Sequence, residues 1–163
     1  MAAVATAGAV VAVTAGVALT WPRPDAPTPP PPAAAAPTPL NCVLTLPSEP
    51  ADVELRVLNG GVPAARLQST AVALRERGFS LRFTQTAADP ETTTVLRYGP
   101  AAIGAAHLMR AELHGDVTMR FDPAHRDKAV DVILAPSFDR LATPTEINQN
   151  LVTAGEPTAP PQC

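Results

Sequence analysis

The sequence lacks the residue patterns that mark several common functional classes. It has 12 lysines and arginines among 163 residues, a net charge of −3 and no basic run, which argues against a nucleic-acid-binding surface. Its two cysteines have no neighbour at metal-ligand spacing, so a zinc site is not expected. None of the serines lies in a nucleophile-elbow sequence. We therefore expect no catalytic residue, no metal and no cofactor.

Composition divides the chain into four segments. Residues 1–21 are apolar, residues 22–50 are rich in proline, and residues 141–163 are poor in large apolar side chains. The remaining segment, 51–140, has about 90 residues, enough for one hydrophobic core. We predict a membrane or export segment, an extracytoplasmic stalk, one domain, and a flexible tail that ends in Cys163.

The first segment is long enough to cross a membrane. The uncharged stretch from Ala2 to Thr20 would extend about 30 Å as a helix, the thickness of a hydrocarbon core. Trp21 lies where an interfacial anchor is expected, and Pro22 would end the helix. We favour a retained single-pass anchor with the domain outside the cell. The alternative is a cleaved signal peptide and a secreted protein, although the basic start of such a peptide is missing.

The stalk has the composition of a polyproline spacer. Prolines recur from Pro22 to Pro39, and each fixes φ and removes a backbone donor, which excludes helix and sheet. A polyproline II conformation predicts a spacer about 50 Å long. Such a spacer would hold the domain away from a membrane surface.

The first half of the predicted domain reads as strand, helix and strand. Residues 53–58 alternate between apolar and polar side chains, as in a half-buried strand. Pro63 suits the first turn of a helix, and Gly78 suits its carboxyl end. A second alternating strand follows, with the apolar residues Phe79, Leu81 and Phe83.

The second half repeats this plan. A strand at residues 94–97 leads to Pro100, and Gly115 follows fifteen residues later, the same spacing as between Pro63 and Gly78. The strand that follows carries Val117, Met119 and Phe121, and an apolar strand at residues 129–134 ends the domain. We predict an α/β fold, an α+β sandwich of the order βαβ-βαβ-β. Two helices would cover one face of a four- or five-stranded sheet.

Two strand-to-helix loops are the candidates for ligand contact. Asn59-Gly60-Gly61 and Tyr98-Gly99 each precede a helix amino terminus, where free N–H groups can hold an anion. Neither loop has the spacing of a P-loop or a dinucleotide-binding motif. The alternative is a pair of tight turns that need positive φ.

Histidines and aspartates in the second half form weaker candidates. His107 and His114 lie seven residues apart on the second predicted helix, and Asp122, His125 and Asp127 follow in a loop. An acid–base enzyme would need His107, His114 and Asp122 to converge in a pocket. The loop residues could form a weak metal cluster. Helix-boundary and solvated loop residues are the simpler interpretation of both groups.

The two cysteines, Cys42 and Cys163, flank the predicted domain. An even number of cysteines in an exported chain favours a disulfide between them. The bond would close a loop of about 120 residues, which chain-entropy models value at about 4–5 kcal/mol. The alternative is two free thiols in flexible ends.

Three motifs in order resemble one known family. The segments VLNGGVPA at residues 57–64, RERGF at 75–79 and TTVLRYGP at 93–100 make residues 52–138 similar to the LytR C-terminal domain family. In many bacteria this domain follows a catalytic domain that attaches polymers to the cell wall, and the 163 residues here do not include that catalytic domain.

The resemblance implies a function in the cell envelope. An anchor, a proline stalk and a lone domain are similar to stand-alone, membrane-anchored members of the family that support envelope integrity in actinobacteria. A non-catalytic binding or scaffold module is therefore expected, with a cell-wall polymer or an envelope protein as partner and with no nucleic acid. The alternatives are a structural spacer that self-associates through a sheet edge or face, an accessory to wall-polymer attachment enzymes, and an enzyme acting on wall precursors.

Overall fold

A computed structural model describes residues 40–82 and 88–163 of the chain. The predicted membrane or export segment at residues 1–21, most of the predicted stalk, and Phe83 lie outside the described residues. Within the described ranges, no helix is long and apolar enough to cross a membrane.

The described residues form five strands and three α-helices in an α/β arrangement. Two short 3-10 helices, at Pro50–Asp52 and Pro100–Ala102, precede the first strand and the second α-helix. In chain order the elements are β1 (Glu54–Asn59), α1 (Ala64–Glu76), β2 (Ser80–Leu81), β3 (Thr94–Tyr98), α2 (Ile103–Glu112), β4 (Val117–Phe121), β5 (Val130–Leu134) and α3 (Pro144–Ala154). The predicted order of strands and helices through residue 134 is confirmed.

The strands form one sheet in the order β2-β1-β5-β3-β4. The pairs β1–β2, β1–β5 and β3–β4 are parallel, whereas β3 and β5 are antiparallel. Each half of the domain thus contributes one parallel pair, and β5 joins the two pairs. The last strand of the domain therefore occupies the centre of the sheet, where its five residues are all buried.

Alternate residues of the strands supply the core on the face that the helices cover. Leu55, Val132 and Leu96, from three neighbouring strands, are at most 1% exposed and belong to the same apolar cluster as the helix side chains. Leu67 and Leu74 of α1 and Met109 of α2 complete this cluster, together with Leu113, which directly follows α2.

Glycines follow α1 and α2 at the positions that their spacing predicts. Gly78 follows α1 with φ of +91°, and Gly115 follows α2 with φ of +85°. Only glycine adopts this left-handed backbone without strain, and it reverses the chain directly into the next strand.

Residues 141–163, for which no element was predicted, contain the third helix. Thr143 and Glu146 form a capping box at its start, with Pro144 at the first helical position. The Asn150 side chain donates to the Ala111 carbonyl at 3.0 Å, and the Gly155 carbonyl lies 2.9 Å from His107 Nε2. The helix therefore lies against α2.

Residues 40–49, assigned to the stalk from their composition, contact the domain. Val43 exchanges backbone hydrogen bonds with Pro100 and Gly104, at 2.8 and 3.1 Å. Cys42 and Leu44 pack against the core cluster. A Cβ atom on Gly104 would lie 2.0 Å from the Thr45 carbonyl oxygen, so glycine is needed for this approach.

Candidate functional site

The two predicted ligand loops lie at opposite ends of the sheet. Asn59-Gly60-Gly61 follows β1 and Tyr98-Gly99 follows β3. β1 is parallel to β5, and β5 is antiparallel to β3, so β1 and β3 run in opposite directions. The carboxyl ends of these two strands therefore lie at opposite ends of the sheet. The two loops do not form one site.

Two backbone N–H groups of the loop after β1 already donate to acceptors within the protein. The Gly60 N–H donates to the Leu134 carbonyl at 2.9 Å, and the Gly61 N–H donates to Asn59 Oδ1 at 2.9 Å. An anion at this loop would need other donors. Ligand binding by the Asn59-Gly60-Gly61 loop stays a prediction.

The loop after β3 is part of the packing of the fold. A Cβ atom on Gly99 would lie 1.8 Å from the His125 carbonyl oxygen, so glycine lets the β4–β5 loop pass over this point. Tyr98 is 8% exposed, and its ring packs edge-on against Phe121 with centroids 5.9 Å apart. Burial raises the pKa of its hydroxyl.

The sheet face opposite the helices carries a network of charged side chains that the sequence analysis missed. Arg56, Asp131 and Arg97 lie side by side on β1, β5 and β3, in register with one another. One carboxylate oxygen of Asp131 accepts from Arg56 Nε at 2.5 Å, and the other accepts from Arg97 Nε and Nη2 at 2.9 and 2.7 Å. The Asp131 side chain is 2% exposed. Two guanidinium groups thus compensate one buried carboxylate, as a charge in that position requires.

The loop between β4 and β5 covers one side of this network. His125 Nε2 lies 2.9 Å from Arg56 Nη2 and 3.0 Å from the Ala129 carbonyl oxygen. Asp127 accepts from Arg56 Nη1 at 3.0 Å and from the Ala129 N–H at 3.1 Å. Burial acts to raise the pKa of Asp127, but His125, the Ala129 N–H and Arg56 together outweigh it and lower that pKa.

A third arginine extends the network to the edge of the sheet. Arg120 on β4 is in register with Arg97, and its Nη1 donates to Glu91 at 2.8 Å. The side chains of Arg56, Arg97 and Arg120 are 27%, 40% and 48% exposed, in order across the sheet. We call these three residues the arginine row. Guanidinium groups held by carboxylates in this way keep further N–H donors for the oxygens of phosphate, carboxylate or sugar groups.

A shallow cleft lies near the opposite edge of the sheet. Its volume is about 640 Å³, and it is lined by residues of the first 3-10 helix, of β1, of β2 and the residue after it, and of the loop before β5. Glu54, one of the lining residues, lies 2.8 Å from Arg82 and 3.0 Å from Lys128. Both basic groups are therefore paired with the same carboxylate.

The other candidate residues have separate surroundings. His107 contacts Gly155 beyond α3, His114 lies 3.2 Å from Asp139, and Asp122 accepts from the Ala124 N–H within its own loop. No described contact joins His107, His114 and Asp122. In residues 40–82 and 88–163, no group of histidine, cysteine and carboxylate side chains is arranged to hold a metal ion.

One signal in the sequence pointed to the missed network. Asp131 interrupts the otherwise apolar strand at residues 129–134, and an acidic residue inside such a strand needs a basic partner when it is buried. The alternation of β1 and β3 places Arg56 and Arg97 on the polar face. The pairing of these strands around β5 was not readable, so neither arginine could be assigned to Asp131.

The predicted disulfide between Cys42 and Cys163 is present. The two Cα atoms are 5.9 Å apart across a sequence separation of 121 residues. The bond joins the end of the proline-rich segment to the carboxyl terminus, and it uses both cysteines of the sequence.

Comparison with a solved structure supports the fold. The soluble domain of a conserved hypothetical secreted protein from Mycobacterium marinum, known from a crystal structure, shares the fold. The TM-score is 0.50 and the sequence identity 23%, over 63% of this chain and 72% of that chain. No curated protein matches this chain in sequence.

The family profile covers the domain that carries the arginine row. The sequence profile described as LytR cell envelope-related transcriptional attenuator matches residues 52–138, from Asp52 just before β1 to Phe138 in the loop after β5. This range is more than half of the chain and includes all five strands. The chain therefore belongs to the LytR C-terminal domain family.

Proposed function

We propose that this protein is a non-catalytic, extracytoplasmic module of the cell envelope that binds a wall polymer or an envelope protein. The observation that carries the proposal is the Cys42–Cys163 disulfide, which closes the domain. Structural disulfides form and persist in oxidising compartments and are rare in the cytosol. The family, which is related to the cell envelope by its description, supports the same location.

The neighbouring structure adds a second line of support. The Mycobacterium marinum protein is described as secreted, and it shares the fold of this domain. An extracytoplasmic domain on this chain needs an export segment, which the apolar residues 1–21 would supply. We propose that this segment stays in the membrane as a single-pass anchor, the alternative being a leader that is removed. The prolines of residues 22–39 would then hold the domain away from the membrane.

The arginine row is the surface that we propose for the contact with the partner. Its three guanidinium groups come from β1, β3 and β4 of one sheet, and Asp131 and Glu91 hold them in place. Wall polymers present hydroxyl, carboxylate and phosphate oxygens, all of which accept hydrogen bonds from guanidinium groups. The overall charge of −3 makes a nucleic acid a poor partner.

Co-sedimentation with isolated wall material tests this proposal. The purified, disulfide-bonded protein should sediment with the wall, and Arg120→Gln should reduce the bound fraction several-fold at low salt. Arg82→Gln is the matched control, because it removes the same charge from the far edge of the sheet, where the side chain is 72% exposed. In parallel, a photo-crosslinker at position 120 in the native envelope should capture an envelope protein if the partner is a protein. Failure of both experiments would remove the support for a binding module.

A further inference from the structure

β4 forms one edge of the five-stranded sheet, and its outer side is open in the described part of the chain. The strand order places only β3 beside it. Thr118, Met119 and Arg120 at its centre are exposed, and the exposure of Met119 is 37%. The opposite edge is β2, which has two residues. β4, with five residues, is therefore the longer edge available for further strand pairing.

The hydrogen bonds to β3 show which backbone groups of β4 face outward. Asp122, the residue after the strand, donates its N–H to the Tyr98 carbonyl at 2.8 Å and so points toward β3. Backbone groups alternate in direction along a strand. The N–H and C=O groups of Val117, Met119 and Phe121 therefore point away from the sheet, toward the open edge.

The same three residues have apolar side chains on the helix-covered face. Val117 and Phe121 are half-buried against the core cluster, and Met119 lies between them. The edge thus combines unpaired backbone groups with an apolar stripe. A strand added there would satisfy the backbone groups and cover the stripe.

We infer that the occupant of this edge is a second copy of the chain, paired antiparallel through β4 about a twofold axis at Met119. In that register Val117 faces Phe121 of the second copy, and Met119 faces its own counterpart. All three pairs bring outward-pointing backbone groups together, so that every N–H and C=O group of these residues gains a partner. The apolar stripes of the two copies become continuous, and the contact is closed and symmetric.

The charges on the other face of β4 are complementary in this register. Thr118 lies opposite Arg120 of the second copy, so no two arginines face each other directly. Glu91 accepts a hydrogen bond from Arg120 of its own copy at 2.8 Å. It lies just before β3, at the end of the sheet where Thr94 pairs with Val117. Arg120 of the second copy would approach that same end. Arginine and glutamate side chains therefore alternate around the twofold axis, and the two arginine rows meet at the junction.

Sedimentation equilibrium of the full chain, with its disulfide intact and in density-matched detergent, tests the inference. Wild type should show a monomer–dimer equilibrium. Thr118→Glu places a carboxylate opposite Arg120 in both symmetric pairs and should tighten the dimer roughly 2- to 30-fold. Thr118→Arg places like charges there and should weaken it by a similar factor. This opposite response of one position to two charges is specific to the proposed register.

A second pair of variants separates this edge from other surfaces. Met119→Lys puts two positive charges on the twofold axis and should abolish the dimer. Val72→Lys, on α1, makes the same change at an apolar residue that is 48% exposed, and should leave the dimer intact. The thermal midpoint of each variant checks that it is folded, and the Thr118 variants decide the question if Met119→Lys does not fold.

Three results would overturn the inference. The first is a wild-type protein that stays monomeric at the highest attainable concentration. The second is a dimer that responds equally to both Thr118 variants, since another surface or residues 1–39 would then hold it together. The third is loss of the dimer in Val72→Lys. The samples in these experiments contain no wall material. A negative result would therefore not count against the proposed binding of a wall polymer.

Discussion

Asp131 and Arg97 lie directly opposite each other on the antiparallel strands β5 and β3, and the Asp131 carboxylate accepts two hydrogen bonds from the Arg97 guanidinium, at 2.9 and 2.7 Å. The parallel neighbour of Asp131 on the other side is Arg56. A single buried carboxylate therefore links the two halves of the domain. It also holds two of the arginines that we propose as the contact surface.

Loss of that carboxylate should destabilise the fold. Asp131→Asn leaves two guanidinium groups without their anion, and both arginines are partly exposed, so the free energy of unfolding should fall by about 2–3 kcal/mol, less than for a fully buried pair. Urea denaturation measures the change. Asp139→Asn is the control, since Asp139 is 65% exposed and its loss should change the stability by less than about 0.5 kcal/mol. Equal effects of the two variants would contradict a structural role for Asp131.

The disulfide should supply a large share of the stability. Cys42→Ser combined with Cys163→Ser releases a loop closed across a separation of 121 residues and should lower the free energy of unfolding by about 4–5 kcal/mol if the chain-entropy account holds. Each single variant should lose as much as the double variant, because either change removes the bond. Guanidinium denaturation of the oxidised protein and the double variant measures the difference. A change below about 1 kcal/mol would show that the bond contributes far less than loop closure predicts.

Gly99 should resist substitution because of its neighbour. Gly99→Ala forces a Cβ atom onto the His125 carbonyl oxygen and should cost about 2–3 kcal/mol while displacing the β4–β5 loop. Gly115→Ala is the comparison, since a Cβ atom on Gly115 would meet no other atom within 4 Å, and only the positive φ opposes alanine there, at about 1–2 kcal/mol. The NMR signals of the His125 ring should move in the first variant alone. Unmoved signals in Gly99→Ala would contradict the packing described.

Acid should destabilise the protein through two carboxylates. Hydrogen bonds from Arg140 and from the Thr143 backbone and hydroxyl lower the pKa of Glu146 below its usual 4.5, and the pKa of Asp127 is also lowered. A carboxyl whose pKa is lower in the folded state stabilises the fold above its unfolded pKa. That contribution should be complete above about pH 5 and should disappear as the pH falls through the folded pKa.

Glu146→Gln isolates one part of this effect. The difference in stability between wild type and the variant should be greatest above about pH 5 and should shrink steadily below about pH 4. Denaturation at a series of pH values measures it. Glu156→Gln, a change of the same kind just beyond the other end of α3, serves as the control for the loss of one carboxylate. A difference that grows as the pH falls would contradict the assignment.

The sequence predicted the parts of the fold that depend on neighbouring residues. It did not predict the parts that depend on contacts between residues far apart in the chain. Pro63 and Gly78 bound α1 through local backbone preferences, so these two residues predicted where the helix begins and ends. The position of β5 between β1 and β3 depends on pairing between strands far apart in the sequence, and no local pattern encodes it. α3 has no buried residue and was missed, although the Thr143 and Glu146 capping box was readable.

The candidate site shows the same division. The disulfide followed from the number and placement of two cysteines. The loops at Asn59 and Tyr98 were chosen for their local resemblance to anion-binding turns, but the opposite directions of β1 and β3 separate them. The arginine row depends on the register of four strands, which the structure alone supplies.

The redox state of the cysteines in the native envelope tests the central claim most directly. Intact mass is measured on protein isolated from that envelope, after alkylation with and without prior reduction. The account predicts no alkylated thiol before reduction and two after it, at Cys42 and Cys163, on a protein recovered outside the cytoplasm. Two alkylated thiols without reduction would contradict an extracytoplasmic domain closed by this disulfide.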